Sequence, residues 1–289
     1  MGSRPTAGRQ TLDLLIGVRI LSPQPKFFYY YLSVLVPSSR GPGRSPLKAK
    51  TRVRIPLGPP ATITTTRCRG RLRKAHKEAL ERFLPLIEIP QDGLPSPQKV
   101  FNRKAPLFIE IGFGNGEFLY GLAKENPEAD FIGIEVFLTG IAKLIRRMID
   151  YGKGDVPAPS NLKIIAGDAR LILSEMIPDK TIDGFYILFP DPWPKKRHHK
   201  RRLINPDFAR LLYTKLKTSG FSIIATDNED YAGQIKESLE KAGFILTEIK
   251  ATRPLRFDFS FATRILNTKY AQKAINSGRE IFIFKALTI

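Results

Sequence analysis

The stretch ILFPDPWPKKRHHKRRL, residues 187–203, holds one carboxylate, Asp191, between two prolines and follows it with eight basic or imidazole side chains. Proline fixes its own φ and restricts the residue before it, so Asp191 is a rigid acid. A rigid acid at a strand tip is well placed for chemistry. Trp193 beside it reads either as a platform for a base or as packing. Three more acids occupy comparable positions. Glu110 lies inside the apolar run FIEIG, just ahead of Gly112, Gly114 and Gly116. A buried carboxylate needs a partner, and closely spaced glycines let a backbone turn tightly against a ligand. Glu135 ends the run FIGIEV, about 20 residues past the first glycine, where a carboxylate accepts two hydrogen bonds from the vicinal diol of a ribose. Asp168 follows LKIIAG and has two readings, acceptor for an adenine amino group or N-cap of the next helix. The glycine spacing is not that of dinucleotide binders and no Walker A lysine follows, so the pattern points to an adenosine-containing cofactor other than NAD or ATP.

These acids need strands to carry them, and the chain supplies seven. Apolar runs cover Leu107–Ile111, Phe131–Val136, Leu162–Ala166, Gly184–Phe189, Phe221–Thr226, Gly243–Glu248 and Glu280–Lys285. Helical patterns fall between them at Glu117–Glu125, Leu138–Tyr151, Ala169–Met176, Pro206–Leu216 and Glu229–Lys241. Asn205-Pro206 is a helix start, and Gly220 and Gly243 read as helix stops. Strands alternating with helices of this length predict an α/β, doubly wound, mostly parallel seven-stranded sheet. Ligands in that architecture bind outside the carboxyl ends of the strands, where the acids lie.

Charge narrows the partner. The 289 residues carry a formal net charge of +20, which favours a polyanion, nucleic acid ahead of a membrane surface. Residues 1–75 hold fifteen Lys/Arg against one acid, Asp13; residues 76–289 hold 32 against 26. The apolar run Phe27–Val36 is too short to span a bilayer and is not a typical signal peptide. One cysteine, Cys68, and three histidines, His76, His198 and His199, offer no metal spacing and fit a reducing cytoplasm. Residues 1–66 contain nine prolines and no helical period, so they are expected to be a disordered basic extension. Its two echoes, GVRILSP and RVRIPLGPP, also match what a tRNA-gene T-arm encodes when translated, so the extension reads either as a nucleic-acid-binding arm or as an artefact of the gene model. The folded part is then residues 67–289.

From residue 67 onward the chain resembles the bacterial tRNA (guanine-N7-)-methyltransferases of the TrmB type. The resemblance rests on EIGFGNGEFL, FIGIEV, GDA, FPDPWPKKRHHKRRL, TDNEDYA and TKYAQKAINSGREIF. It implies a class I S-adenosylmethionine-dependent methyltransferase acting on the N7 of a variable-loop guanine in tRNA. It further implies that Glu110, Glu135, Asp168 and Asp191 line the cofactor site with the three glycines. Asp191 becomes the catalytic residue. Lys195, Asp227, Thr268, Lys269, Tyr270 and Ala271 would contact the target guanine, and Arg197, His198, His199, Lys200, Arg201 and Arg202 the RNA. Tyr270-Ala271 departs from the family's usual Phe-Glu; the change at Ala271 loses an acceptor. That loss motivates the alternative of a non-catalytic tRNA-binding protein on a methyltransferase fold. No metal is expected, and the oligomeric state is open.

Overall fold

The computed structural model describes residues 72–89, 97–152, 157–251 and 260–289, and the backbone of three short strands nearer the N-terminus. The chain divides into two units, Met1–Ile63 and Thr64–Ile289. In the first, β1 (Gly17–Val18), β2 (Tyr31–Val34) and β3 (Thr51–Arg54) pair antiparallel. The other residues of 1–66, and the expectation of disorder or artefact attached to them, lie outside the described residues.

The second unit begins with α1 (Lys74–Ile87) and α2 (Pro97–Phe101). Then β4 (Leu107–Ile111), α3 (Glu117–Glu125), β5 (Asp130–Glu135), α4 (Leu138–Gly152), β6 (Leu162–Ala166), α5 (Ala169–Glu175) and β7 (Ile182–Leu188) alternate. A 3-10 helix at Lys196–Arg201 precedes α6 (Pro206–Lys215), β8 (Leu216–Thr226), α7 (Glu229–Lys241) and β9 (Ile245–Ala251). The chain ends in α8 (Ser260–Leu266), α9 (Lys269–Asn276) and β10 (Ile281–Leu287). The sheet order is β6-β5-β4-β7-β8-β10-β9, with β10 antiparallel to both neighbours. This is the seven-stranded, mostly parallel sheet that the alternation of strands and helices predicts. Its strand order reverses between β4 and β7, the point at which such sheets bind ligands.

Two apolar layers cover the sheet. Ile172, Phe208, Leu212, Tyr231 and Ile235 pack α5, α6 and α7 on one face. Leu119, Ile141, Leu144, Met148, Ile265 and Ala274 pack α3, α4, α8 and α9 on the other, with Ala79, Phe83 and Ile87 of α1. Every residue of β5 is buried, as expected of a parallel strand covered on both faces. The N-cap at Asn205 forms as expected, its side chain accepting from the Phe208 N–H with Pro206 in the first turn. Gly243 sits at φ +93° just past α7. Gly220 does not stop a helix: α6 ends at Lys215 and Gly220 lies within β8. The strand starts earlier because Leu216 and Phe221 both pair with β7, across a register shift between Ile182 and Gly184.

Candidate active site

The Gly-rich turn between β4 and α3 is built around left-handed backbone. Gly112, Gly114 and Gly116 have φ of +73°, +56° and +69°, values that side chains disfavour. A Cβ on Gly112 or Gly114 would meet nothing within 4 Å, so the turn faces open space. A Cβ on Gly140 would lie 2.1 Å from the Gly114 carbonyl oxygen. That glycine is what lets α4 approach the turn.

Glu135 ends β5 and is buried. Its Oε2 accepts from the Gly114 N–H at 2.8 Å, and its Oε1 from the Val136 and Phe137 N–H groups at 2.7 and 2.9 Å. Burial pushes its carboxyl up, and these three amides and Asp191 act in opposite senses on it, the amides downward and Asp191 upward. A carboxylate has about four lone-pair sites, so Glu135 holds the turn and keeps capacity for one more donor. Glu110 is buried in β4 with Oε2 unpartnered. Burial first, and Glu135 second, raise its carboxyl to about 8, against the pull of the Leu119 backbone N–H. An orphaned buried acceptor beside an open glycine turn marks a place for a donor-bearing or cationic ligand group. Asp168 resolves toward the N-cap reading: its Oδ1 accepts from the Arg170 N–H at 2.8 Å. Its other oxygen faces Arg170 Nη1 at 3.8 Å.

Asp191 lies three residues beyond β7 and is exposed. Its loop carries two non-glycine residues in left-handed conformation, Phe189 (φ +54°) and Trp193 (φ +44°). Such residues cost on the order of 1–3 kcal/mol each and persist only when their surroundings overdetermine them. The Phe189 N–H donates to the Ala225 carbonyl at 2.8 Å, and the Phe189 ring stacks on Tyr270 at 6.2 Å and 19°. On the far side, Arg202 Nε donates to the Pro192 carbonyl at 2.8 Å.

Arg202 corrects the sequence-based expectation. It is 1% exposed, with Nη1 on Gln234 at 2.9 Å, Nη2 on Asp230, and its guanidinium 4.8 Å from the Tyr231 ring. Its donors are committed to α7 and the Pro192 carbonyl, so it braces the loop instead of meeting phosphate. Arg197, Lys200 and Arg201 of the 3-10 helix are exposed, as are Lys195 and Lys196. Arg201 lies 5.0 Å over the Trp193 ring, and His198 meets that ring edge-on at 5.8 Å. Trp193 is therefore the anchor of the basic turn. Loss of hydration, and after it Arg201, Arg197, Lys195 and Lys200, hold His198 below its ordinary value. His199 lies 3.6 Å from Asp230.

The remaining sequence-predicted residues divide. Asp227 directly follows β8, and Arg279 pairs with its Oδ2. Thr268 caps α9, its Oγ1 accepting from the Ala271 N–H. Lys269 and Tyr270 are exposed, Tyr270 at 68%. Ala271 is fully buried against the α9 core, so its side chain does not face a base, contrary to expectation. Sequence reasoning missed Arg279, the Phe189–Tyr270 stack and the Arg202 clamp. Asp230 and Tyr231 within TDNEDYA are the signal that belonged to the clamp.

Among the described residues, no group of three His, Cys, Asp or Glu is placed to hold a metal, and no helix is long and apolar enough to cross a membrane. Residues 104–284 match the family described as "Putative methyltransferase". The tRNA (guanine-N(7)-)-methyltransferase of Nitrosococcus oceani is 46% identical over 188 residues, 64% of this chain and 77% of that protein. Its counterpart from Nitrosomonas europaea is 42% identical over 215 residues, 73% of this chain and 90% of that protein. With its strand-tip acids, glycine turn and basic loop in place, the chain belongs to the tRNA (guanine-N(7)-)-methyltransferase family.

Proposed function

We propose that the protein transfers a methyl group from S-adenosylmethionine to the N7 of a variable-loop guanine in tRNA. The observation that carries this reading is the rigid, exposed Asp191, close enough to Glu135 to act on its carboxyl and followed directly by a run of exposed cations. When bound, S-adenosylmethionine supplies an electrophilic methyl group on a cationic sulfur. The glycine turn gives it backbone at close range, Glu135 an acceptor for one ribose hydroxyl, and Glu110 an unspent carboxyl oxygen. Asp168 borders the same strand ends, but its N-cap bond leaves one oxygen for a ligand.

Guanine N7 has a free lone pair and no proton to lose, so the residues need to align and not to deprotonate. As N7 attacks, the base gains positive charge, which the fixed Asp191 carboxylate offsets. Asp227 keeps Oδ1 for guanine donors while Arg279 orients it through Oδ2. Lys195 and Lys269 serve an acceptor of the base or its phosphates, and Tyr270 offers the base a ring. Arg197, Lys200 and Arg201 hold the RNA backbone, with His198 and His199 at their edge. The whole reaction falls within residues 67–289.

The test is incubation of the purified protein with labelled S-adenosylmethionine and unmodified tRNA, followed by analysis for 7-methylguanine. Wild type is expected to form it. Asp191→Asn is expected to bind tRNA with unchanged affinity and to methylate at least about 100-fold more slowly, the scale of losing one electrostatic stabiliser. Full activity in that variant removes Asp191 from the mechanism. Wild type that binds tRNA and forms no 7-methylguanine is the non-catalytic binding protein.

A further inference from the structure

The exposed cations are not confined to the loop after Asp191. On α4, Lys143, Arg146 and Arg147 follow at the spacing that puts three side chains on one helix face. With Asn115, Tyr120 and Lys269 they line a cavity of about 610 Å³. Its single acid is Asp150. Among the described residues, none of Lys143, Arg146 and Arg147 has a carboxylate partner. Lys269 reaches Glu117 only at 4.0 Å. Four cations against one acid leave an excess of positive charge in an open depression of the surface.

Arg147 shows what is missing. Its guanidinium lies 5.8 Å from the Tyr120 ring, and its Nε is buried without a hydrogen-bond partner. A buried donor left unpaired is costly and calls for an acceptor. The cavity's other borders say whose acceptor. Asn115 belongs to the glycine turn, between Gly114 and Gly116. Lys269 opens α9 directly before Tyr270, whose ring lies parallel to Phe189 on the Asp191 loop. The cavity therefore adjoins both the cofactor turn and the segment that meets the base.

We propose that this cavity is a second phosphate-binding subsite, in which Lys143, Arg146 and Arg147 hold the tRNA backbone close to the target nucleotide. It rests on the reading of the protein as a tRNA methyltransferase. Cations drawn from two separate elements, three from α4 and Lys269 from α9, suit successive phosphates of a chain better than one small anion. The 3-10 helix and the α4 cavity then grip the RNA at two places, and the flipped or unstacked base lies between them at Tyr270 and Asp191.

The experiment compares the full chain with Lys143→Gln/Arg146→Gln, both exposed positions, in tRNA binding across a salt series. The control is Lys236→Gln/Lys241→Gln, which removes equal charge from α7 on the opposite layer. Each lost phosphate contact flattens the slope of log affinity against log salt by about 0.7–0.9. The double variant is expected to bind tRNA about tenfold more weakly, with a slope shallower by roughly 1.5. The thermal midpoint and S-adenosylmethionine affinity stay at wild-type values. Arg147→Met is the second variant, expected to weaken tRNA binding without lowering the thermal midpoint. A slope for the α4 variant equal to that of the α7 control overturns the proposal. So does inorganic phosphate that protects Arg147 at low millimolar concentration while tRNA binding ignores all three residues. If wild type itself forms no 7-methylguanine in tRNA, the functional reading falls; if it does and the α4 variant keeps the full slope, only this subsite falls.

Discussion

Glu110 gives the sharpest test, because its burial has a calculable consequence. The carboxyl titrates at about 8 in the fold instead of 4.5. Between those values the unfolded chain has lost the proton and the native protein has kept it. The unfolded state then binds fewer protons, so stability falls as pH rises. The contribution is fully present below 4.5, and is lost as pH rises to about 8. Each pH unit of that window is worth about 1.36 kcal/mol, so the upper bound is roughly 5 kcal/mol. Glu110→Gln removes the ionisation and keeps the shape. Urea unfolding at about pH 5 and about pH 8 should show wild type losing roughly 3 kcal/mol relative to the variant. Parallel stability curves for the two proteins would refute the burial argument. Ligand binding gives a second reading. A cationic or donor group seated on Oε2 favours the ionised form, so S-adenosylmethionine uptake near neutral pH should release a proton in wild type and none in Glu110→Gln. Calorimetry in two buffers of different ionisation enthalpy measures that difference.

Gly140→Ala places a methyl 2.1 Å from the Gly114 carbonyl oxygen; S-adenosylmethionine affinity measured by calorimetry should fall by more than about tenfold, about 1.4 kcal/mol. Arg202→Met strands the Pro192 carbonyl and frees Asp230, whose carboxylate stays in water, and thermal or urea unfolding should show a loss of about 1–3 kcal/mol, the range for one acceptor left unsatisfied. Tyr270→Ala removes an exposed ring and its stack on Phe189, so KM for tRNA should rise by about tenfold, within the range for one base–aromatic stack, and kcat should fall with the loosened Asp191 loop.

The strands and helices that position the site were legible because their signals are local. Apolar runs bounded by turn residues placed β4 and β6 to the residue, and α3 and α7 likewise. Strand-tip acids followed from the alternation alone, since the residue after each apolar run must sit at the ligand edge of a parallel sheet. What stayed hidden depends on contacts across the chain. The helix α1 has a weakly apolar composition and Pro85 inside it, and only its packing on α4 shows why it forms. Asp168 offered no local way to choose between a ligand and a helix cap. Arg202 is the same residue type as its neighbours in KRHHKRR, and its acid partner stands 28 residues away. Ala271 read as a loss at the base because its orientation was invisible; the register of α9 turns it into the core.

The clamp changes what makes Asp191 rigid. Two prolines stiffen the chain on either side of it, but they do not account for left-handed Phe189 and Trp193, which neither proline requires. That strain persists because both ends are held: Phe189 by the Ala225 carbonyl and the Tyr270 ring, Trp193 by Arg201 and by the Arg202 bond to Pro192. Two arginines in one basic run thus do different work. Arg201 lies over Trp193 on the exposed side of the loop, while Arg202 holds the loop from within the fold. In the proposed complex, RNA at the 3-10 helix touches one support of the Asp191 loop and leaves the other fixed, so the acid keeps its place while the substrate is held.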